Sequence, residues 1–379
     1  MKILKKLIAG VDTILSRRQV NIAFEDAPRA NFAHLEEGLR PRLDGSGTTD
    51  EPIIRRLLKA YHASKAAQTA APSAYKPGGA WDLDIKTRRS EYLRAQEESD
   101  IDALRDLFRN FFRNDGISGL WTYGSYKEFL NAGAFKKKWL INSILRDFAV
   151  WSDFTDSPDV RALAAPLIGN PWGYCIDHQL VMPVSCPHHY YASRVANLIS
   201  NFKNPVVGEI GGGFGGAAYY LLKNSKELKY LDFDLPEVAL IAAYYLLTAF
   251  PDKKALLFGE LKENKLSDEI LRGYDIIIMP NFQLHQLPDL SVDLFINTGS
   301  LSEMDYTTVE EYISQIARTT RHYFFHENSD RAVLNSSGHI EVPSSNFPIP
   351  KNIFKKIYKA NSLWGGGGGR YREYLYARI

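Results

Sequence analysis

Between residues 206 and 216 the chain reads VVGEIGGGFGG: a short Val/Ile run, an acid, and then five glycines in six positions. The helix-compatible stretch AAYYLLK follows at 217–223. Glycines at this density let a backbone turn sharply from a strand into a helix, and let a ligand lie against the main chain without meeting a Cβ. A strand–turn–helix unit of this kind constrains the fold more than any other segment. Glu209, two residues before the first of these glycines, accepts hydrogen bonds and attracts a cation, so the loop suits an ammonium-bearing ligand better than a pyrophosphate.

Strand-like and helix-like segments alternate around this loop. A helix at 188–201 leads into strand 206–210, and helix 215–224 follows the glycines. Strand KYLDFD (229–234) precedes a helix from Pro236 to about Phe250, started by proline at its first position and Glu237 in its first turn. ALLFG (255–259), DIIIMP (275–280), DLFIN (293–297) and HYFFH (322–326) read as further strands. A helix over 309–320 is expected to start with a capping box from Thr307 and Glu310. Alternation of this kind predicts an α/β domain with a mostly parallel sheet. FKKIYKANSLW (354–364), five glycines (365–369) and RYREYLYARI (370–379) read as an antiparallel hairpin with a mobile tip.

The first half has a different texture. Loops rich in Gly, Pro, Ser and Thr at 40–52 and 67–82 separate helical patterns. In SDIDALRDLFRNFFRNDG, Ser99 or Asp100 caps a helix that buries Ile101, Leu104, Leu107, Phe108 and Phe111, and Gly116 stops it. Another helix spans 136–151. The expected organisation is a mostly helical region over 1–165 that shapes an acceptor pocket or docks a partner, followed by a ligand-binding α/β domain over 166–379.

Bulk composition narrows the partners. A net charge of +2 gives no electrostatic case for nucleic acid. Cys175 and Cys186 form no zinc-ligand pattern and no disulfide framework, so a cytoplasmic setting is the default. No stretch approaches the ~18 apolar residues of a membrane span. At the N-terminus Asp12 interrupts the apolar run, which argues against a cleaved leader. Ile3, Leu4, Leu7, Ile8, Val11, Ile14 and Leu15 instead fall on one helical stripe, suited to packing, to a partner or to weak peripheral membrane binding through residues 1–18.

Gly211, Gly213 and Gly216 also satisfy G-x-G-x-x-G, the dinucleotide fingerprint, which keeps an NAD(P)-dependent oxidoreductase open as an alternative. Glu209 would face the pyrophosphate in that case. The acid, the glycine loop and the terminal hairpin together resemble the class I S-adenosylmethionine (SAM) methyltransferases. LDFDLPEV, DLFINTGSLSEM, EEYISQIA and HYFFHEN narrow the resemblance to the bacterial sugar O-methyltransferase family, over about residues 165–379. It implies a Rossmann-like sheet closed by a C-terminal antiparallel hairpin, SAM as cofactor, and methyl transfer to a sugar hydroxyl in polysaccharide or glycoconjugate biosynthesis. A non-catalytic assembly protein with a degenerate pocket is the third reading.

The resemblance implies roles for single residues. Glu209, Gly211, Gly213 and Gly215 line the methionine and ribose of SAM, and Asp234, the acid of DLP, binds the ribose hydroxyls. Asn281 is a candidate for the adenine edge, and Asn297 for the cofactor side of the TGSLSEM loop. A sugar hydroxyl is a weak acid, so a base is expected, with Glu303, His285 and His326 as candidates. A divalent metal through Glu303 and Asp305 is possible but not expected. Tyr190 and Arg194, in the helix that follows His188 and His189, could meet the cofactor or the acceptor. Trp121, Tyr123, Tyr126, Trp172 and Tyr174 could stack on sugar rings, although core packing is the default for aromatics.

Overall fold

The computed structural model describes residues 31–42, 50–78, 81, 85, 90–114, 126–155, 159–263, 265–334, 338–364 and 370–379. The N-terminal stripe, Gly116, Trp121, Tyr123 and the five glycines at 365–369 lie outside the described residues. In chain order the principal helices are α1 (Phe32–Leu39), α2 (Asp50–Gln68), α3 (Ser90–Glu97), α4 (Ile101–Arg109), α5 (Tyr126–Leu130), α6 (Ala134–Phe154), α7 (Ser185–Leu198), α8 (Gly216–Asn224), α9 (Pro236–Ala249), α10 (Asp268–Gly273) and α11 (Tyr306–Thr319). The strands are β1 (Tyr174–Ile176), β2 (Gln179–Val181), β3 (Val206–Ile210), β4 (Lys229–Asp234), β5 (Ala255–Leu257), β6 (Ile276–Pro280), β7 (Val292–Thr298), β8 (Thr320–Ser329), β9 (Phe354–Asn361) and β10 (Tyr371–Arg378).

Two compact units divide the chain: Met1–Asp44 with Asn110–Tyr190, and Gly45–Arg109 with Tyr191–Ile379. The helical first half is thus shared between both. In the first unit, α1 lies so close to the β1–β2 hairpin that a Cβ at Gly38 would fall 2.1 Å from the Gly173 carbonyl oxygen. The Arg113 guanidinium clasps it, donating to the carbonyls of Leu39, Arg40 and Asn170 at 3.0, 2.7 and 2.9 Å. Five donors in a fixed fork suit arginine to gathering several carbonyls at once.

The second unit is built on an eight-stranded sheet in the order β5-β6-β4-β3-β7-β8-β10-β9. Strands β5 through β8 in that order pair in parallel, and β10 runs antiparallel to both β8 and β9. The chain therefore builds one side of β3 with β4, the edge strand β5 and then β6 inserted between them, before returning to start the other side with β7. That reversal beside β3 is a switch point, where ligands of open α/β sheets bind outside the carboxyl ends of the strands. At Gly208, between the halves, a Cβ would strike the Phe295 ring at 2.4 Å, so the ring lies over β3 where another residue's side chain would stand.

Val206, Ile210, Leu231, Phe233, Phe295 and Phe324 point to one face of the sheet, where α11 packs through Val309, Tyr312, Ile313 and Ile316. Helix α9 is buried almost throughout. Its Tyr244 stacks on Phe108 of α4, ring centroids 4.5 Å apart and planes 8° from parallel. Its Glu237 receives Lys65 of α2 at 2.5 Å.

Two local expectations need correction. Helix α11 starts at Tyr306 after Asp305, with no side-chain cap, so Thr307 lies inside its first turn and the Thr307–Glu310 capping box does not form. Of the two cap candidates for α4 Asp100 serves, accepting from the Ala103 amide at 3.0 Å, but the helix ends at Arg109, before Phe111.

Candidate functional site

The glycine loop is shaped by three left-handed residues, Gly211, Gly213 and Gly215, with φ of 70°, 63° and 83°. Side chains other than glycine rarely adopt this region. The Gly211 amide donates to Phe233 O and the Gly215 amide to Gly212 O, fastening the turn at both ends. A Cβ on Gly211 would sit 2.5 Å from Ser300 Oγ, and one on Gly212 would sit 2.7 Å from Asp232 Oδ1. The loop is closely walled on two sides.

Acids gather beneath it. Parallel pairing of β3 with β4 sets Glu209 opposite Asp232, and alternation along β4 returns Asp234 to the same face. Asp232 Oδ1 accepts from the Gly212 amide at 3.1 Å, and Asp234 Oδ2 from the Gly213 amide at 3.2 Å. Tyr230, on the same face of β4, donates its hydroxyl to Glu209 Oε2 at 2.6 Å. The second oxygen of Asp232, Oδ2, is buried without a hydrogen-bond partner among the described residues. No described Lys, Arg or His forms an ion pair with Glu209 or Asp232.

The electrostatic consequence is severe. Burial pushes the Glu209 carboxyl up to about 7; the Tyr230 hydroxyl opposes this and the Asp234 charge adds to it. Asp232 is driven well above the ordinary carboxylate range, by burial first and then by Asp234 and Glu209. Like charges crowded in a dry site disfavour their own ionisation. A cationic ligand would relieve them.

On the β7 side, Asn297 ties the loop together. Its Nδ2 donates to Ile210 O at 2.8 Å and to Ser300 Oγ at 2.6 Å, and its Oδ1 accepts from Asn328 Nδ2 at 2.7 Å. Asn328 Oδ1 in turn accepts from the Ser302 amide at 3.1 Å. Both amide hydrogens of Asn297 are engaged within the protein. The same holds for Asn281, which donates to Tyr75 O and Tyr312 Oη at 3.1 and 2.8 Å. Both residues therefore shape the walls of this end of the sheet rather than reaching outward through N–H.

Glu303 lies in the short turn Leu301–Glu303 after β7 and accepts from the Trp81 indole N–H at 3.1 Å. The two histidines differ in setting. His285 is exposed in the Asn281–Gln286 turn, whose end is held by Arg318 near the start of β8. His326 is fully buried against Tyr374, Phe347 and Tyr376, and burial pushes its imidazole down to about 3. The structure thus groups Glu209, Gly211, Gly213, Gly215, Asp234 and the Asn297–Glu303 loop; His326 stands beside Asn297 in the β7–β8 register, 3.4 Å from Asn328 Nδ2, but is enclosed among rings, and His285 is exposed.

Among the described residues, no three His, Cys, Asp or Glu side chains gather as metal ligands. Asp305 faces His339 at 3.6 Å. Tyr190 packs on Phe154, His189 accepts from the Trp151 indole, and Arg194 donates to Tyr358 Oη. Trp172 donates to Phe112 O, and its ring and that of Tyr174 are fully buried.

Sequence reasoning missed Tyr230, whose hydroxyl cap on Glu209 depends on strand pairing. It also missed Glu327, which is buried, receives Tyr191 Oη at 2.7 Å and is pushed up to about 7 chiefly by burial. Its place beside Thr298 follows from β7–β8 pairing and carries no sequence motif.

No protein-family model matches the chain, and no curated protein sequence matches it. Among solved structures, the mitomycin 7-O-methyltransferase is 17% identical over 87% of this chain and 97% of that one, with a TM-score of 0.38. The magnesium protoporphyrin IX methyltransferase of Synechocystis PCC 6803, with bound S-adenosylhomocysteine (SAH), is 14% identical over 62% of this chain and all of that one (100%), with a TM-score of 0.36. The N-methyltransferase NodS of Bradyrhizobium japonicum WM9, also with SAH, is 13% identical over 52% and 88%, with a TM-score of 0.35. These likenesses are loose, and the fold assignment rests on this chain's own strand pairing.

Proposed function

We propose that the chain is a SAM-dependent O-methyltransferase acting on a sugar hydroxyl. The observation that carries the reading is the trio Glu209, Asp232 and Asp234 beneath a glycine loop at the switch point of the sheet. Buried acids with an unpartnered oxygen suit a ligand that brings positive charge and hydroxyl donors. SAM has both, in its ammonium, its sulfonium and its ribose, whereas a dinucleotide would set a pyrophosphate against Glu209. When bound, SAM supplies a methyl group on a sulfonium, activated for in-line displacement by an oxygen nucleophile.

The chain's own residues then have separable tasks. The glycines at 211, 213 and 215 let the ligand approach the backbone. Glu209 faces the ammonium end, and Asp234 accepts from the ribose hydroxyls. Asn297, through Ser300 and Asn328, fixes the loop that borders the transfer site. Glu303 is assigned to take the proton that an acceptor hydroxyl must lose. His326, neutral and packed among rings, is poorly suited to that task, and exposed His285 lies in the turn after β6, hydrogen-bonded to Gln286. The sugar acceptor itself rests on the sequence resemblance over residues 165–379.

Calorimetric titration with SAM and SAH tests the cofactor. Asp234→Ala should raise the SAM dissociation constant about tenfold or more, since a hydrogen bond to a charged group is worth ~1.5–3 kcal/mol. Tight NADH binding without SAM binding would overturn the reading. Incubation with methyl-labelled SAM and a panel of nucleotide sugars tests the acceptor class.

A further inference from the structure

The carboxyl ends of β4 and β6 stand side by side, with Asp234 of one in register with Pro280 of the other. Helix α2 and the segment behind it, in the same compact unit, cover this end of the sheet. Ala63, Ala67 and Ala71 pack on the core cluster that contains Phe258 and Phe282, just past β5 and β6. Beyond α2, Tyr75 O receives Asn281 Nδ2 at 3.1 Å.

Two polar groups beside α9 are only half satisfied. Lys65 Nζ donates to Gln68 Oε1 at 2.9 Å and to Glu237 Oε1 at 2.5 Å. The ammonium thus gathers an amide from α2 and a carboxylate from the first turn of α9. Gln68 Nε2 and Glu237 Oε2 are buried without a hydrogen-bond partner among the described residues, in residues 6% and 2% exposed. Buried polar atoms left unpaired are costly, and two of them beside one cation call for a ligand. Lys65 also fixes their sense. Holding Gln68 by its oxygen leaves the amide nitrogen as donor, and the second oxygen of Glu237 remains an acceptor.

A donor beside an acceptor is the complement of adenine, whose 6-amino group donates next to an accepting ring nitrogen. Hypoxanthine reverses that pattern, with a carbonyl in place of the amine and a proton on N1. In the SAM reading, the methionine end belongs to Glu209 and the methyl group to the loop after β7. The base then extends the opposite way, toward β4 and β6, and Glu237 follows the ribose acid Asp234 on that side. We propose that Gln68 and Glu237, oriented by Lys65, recognise the adenine of SAM. Gln68 Nε2 donates to a ring nitrogen, and Glu237 Oε2 accepts from the 6-amino group. The inference rests on the SAM reading and gives helix α2 a part in cofactor binding.

Calorimetry on the full chain with SAH and with S-inosylhomocysteine, its 6-oxo analogue, tests the assignment. SAH should bind at least about tenfold more tightly to the wild type. Q68L should weaken SAH about tenfold and leave S-inosylhomocysteine within about twofold. In E237Q, Lys65 can hold the new amide by its oxygen and leave an N–H facing the 6-position. That variant should bring the two ligands within about twofold of each other. Equal affinities in the wild type would overturn the inference and leave the cofactor reading intact. So would parallel losses for both ligands in Q68L and E237Q, which would mark the pair as structural. A wild type that binds neither ligand would refute the SAM reading itself, and this assignment with it.

Discussion

Replacing Glu209 by glutamine should strengthen the ligand-free fold and weaken SAM binding, and the size of the first effect follows from the structure. The carboxyl is 2% exposed and its pKa is raised to about 7 from an ordinary 4.5, by burial first. A raised acid pKa means that ionisation favours the unfolded chain. The stability is therefore fully present below pH 4.5 and is lost as pH rises toward 7. At ~1.36 kcal/mol per pKa unit, the loss is about 1 kcal/mol at pH 5 and about 3 kcal/mol at pH 8. Glutamine cannot ionise, yet its carbonyl can still accept from Tyr230. The variant should melt about 4 °C above the wild type at pH 8, using ~2.1 cal/mol/K per residue for the unfolding entropy. At pH 5 the gain should shrink to about 1 °C. Thermal denaturation of both proteins without ligand at the two pH values makes the comparison. A variant that melts no higher at pH 8, or that gains equally at both, would refute the desolvated-carboxylate argument. Calorimetry on the same samples should show SAM affinity falling about tenfold, the signature of a site that costs stability for function.

Gly211→Ala should cost at least ~2 kcal/mol in urea denaturation, because a left-handed φ adds to a Cβ only 2.5 Å from Ser300 Oγ. Asn328→Ala leaves Asn297 Oδ1 and the Ser302 amide without their partner, at ~1–3 kcal/mol per buried group, and should loosen the loop after β7. An unchanged denaturation midpoint would remove that residue from the loop-fixing role. Glu303→Gln should slow turnover roughly 10²-fold, within the range for a general base, while SAM affinity stays as in the wild type. Full activity in that variant would clear Glu303 of proton transfer.

The Rossmann-like half was readable because its signals are local. Strands 206–210 and 229–234 stand where their Val/Ile-rich and aromatic runs predict, and Pro236 opens α9. The hairpin at the end was legible from two aromatic runs, and its strands do pair antiparallel. The α11 start was misjudged because a capping box is a pattern that the backbone need not use: Asp305 O receives the Val309 amide whatever its side chain does. The surroundings of His326 were illegible for a related reason. A titratable side chain in a motif-rich region looks chemical until strand register buries it, as β8 buries His326 beneath Tyr374.

By itself, the sequence determined that a strand, an acid and a run of glycines come in that order. Chain connectivity and backbone sterics leave few ways to turn such a segment, so the loop is a local property. Tertiary structure decided what surrounds it. Parallel pairing put Asp232 opposite Glu209 and set Tyr230 on the same face, with no ion pair to Glu209 or Asp232 among the described residues, and Glu209 is more than 20 positions from both partners in the chain. Proximity across strands comes from register and burial, which no stretch of neighbouring residues encodes, and it is proximity that turns ordinary acids into a charged pocket.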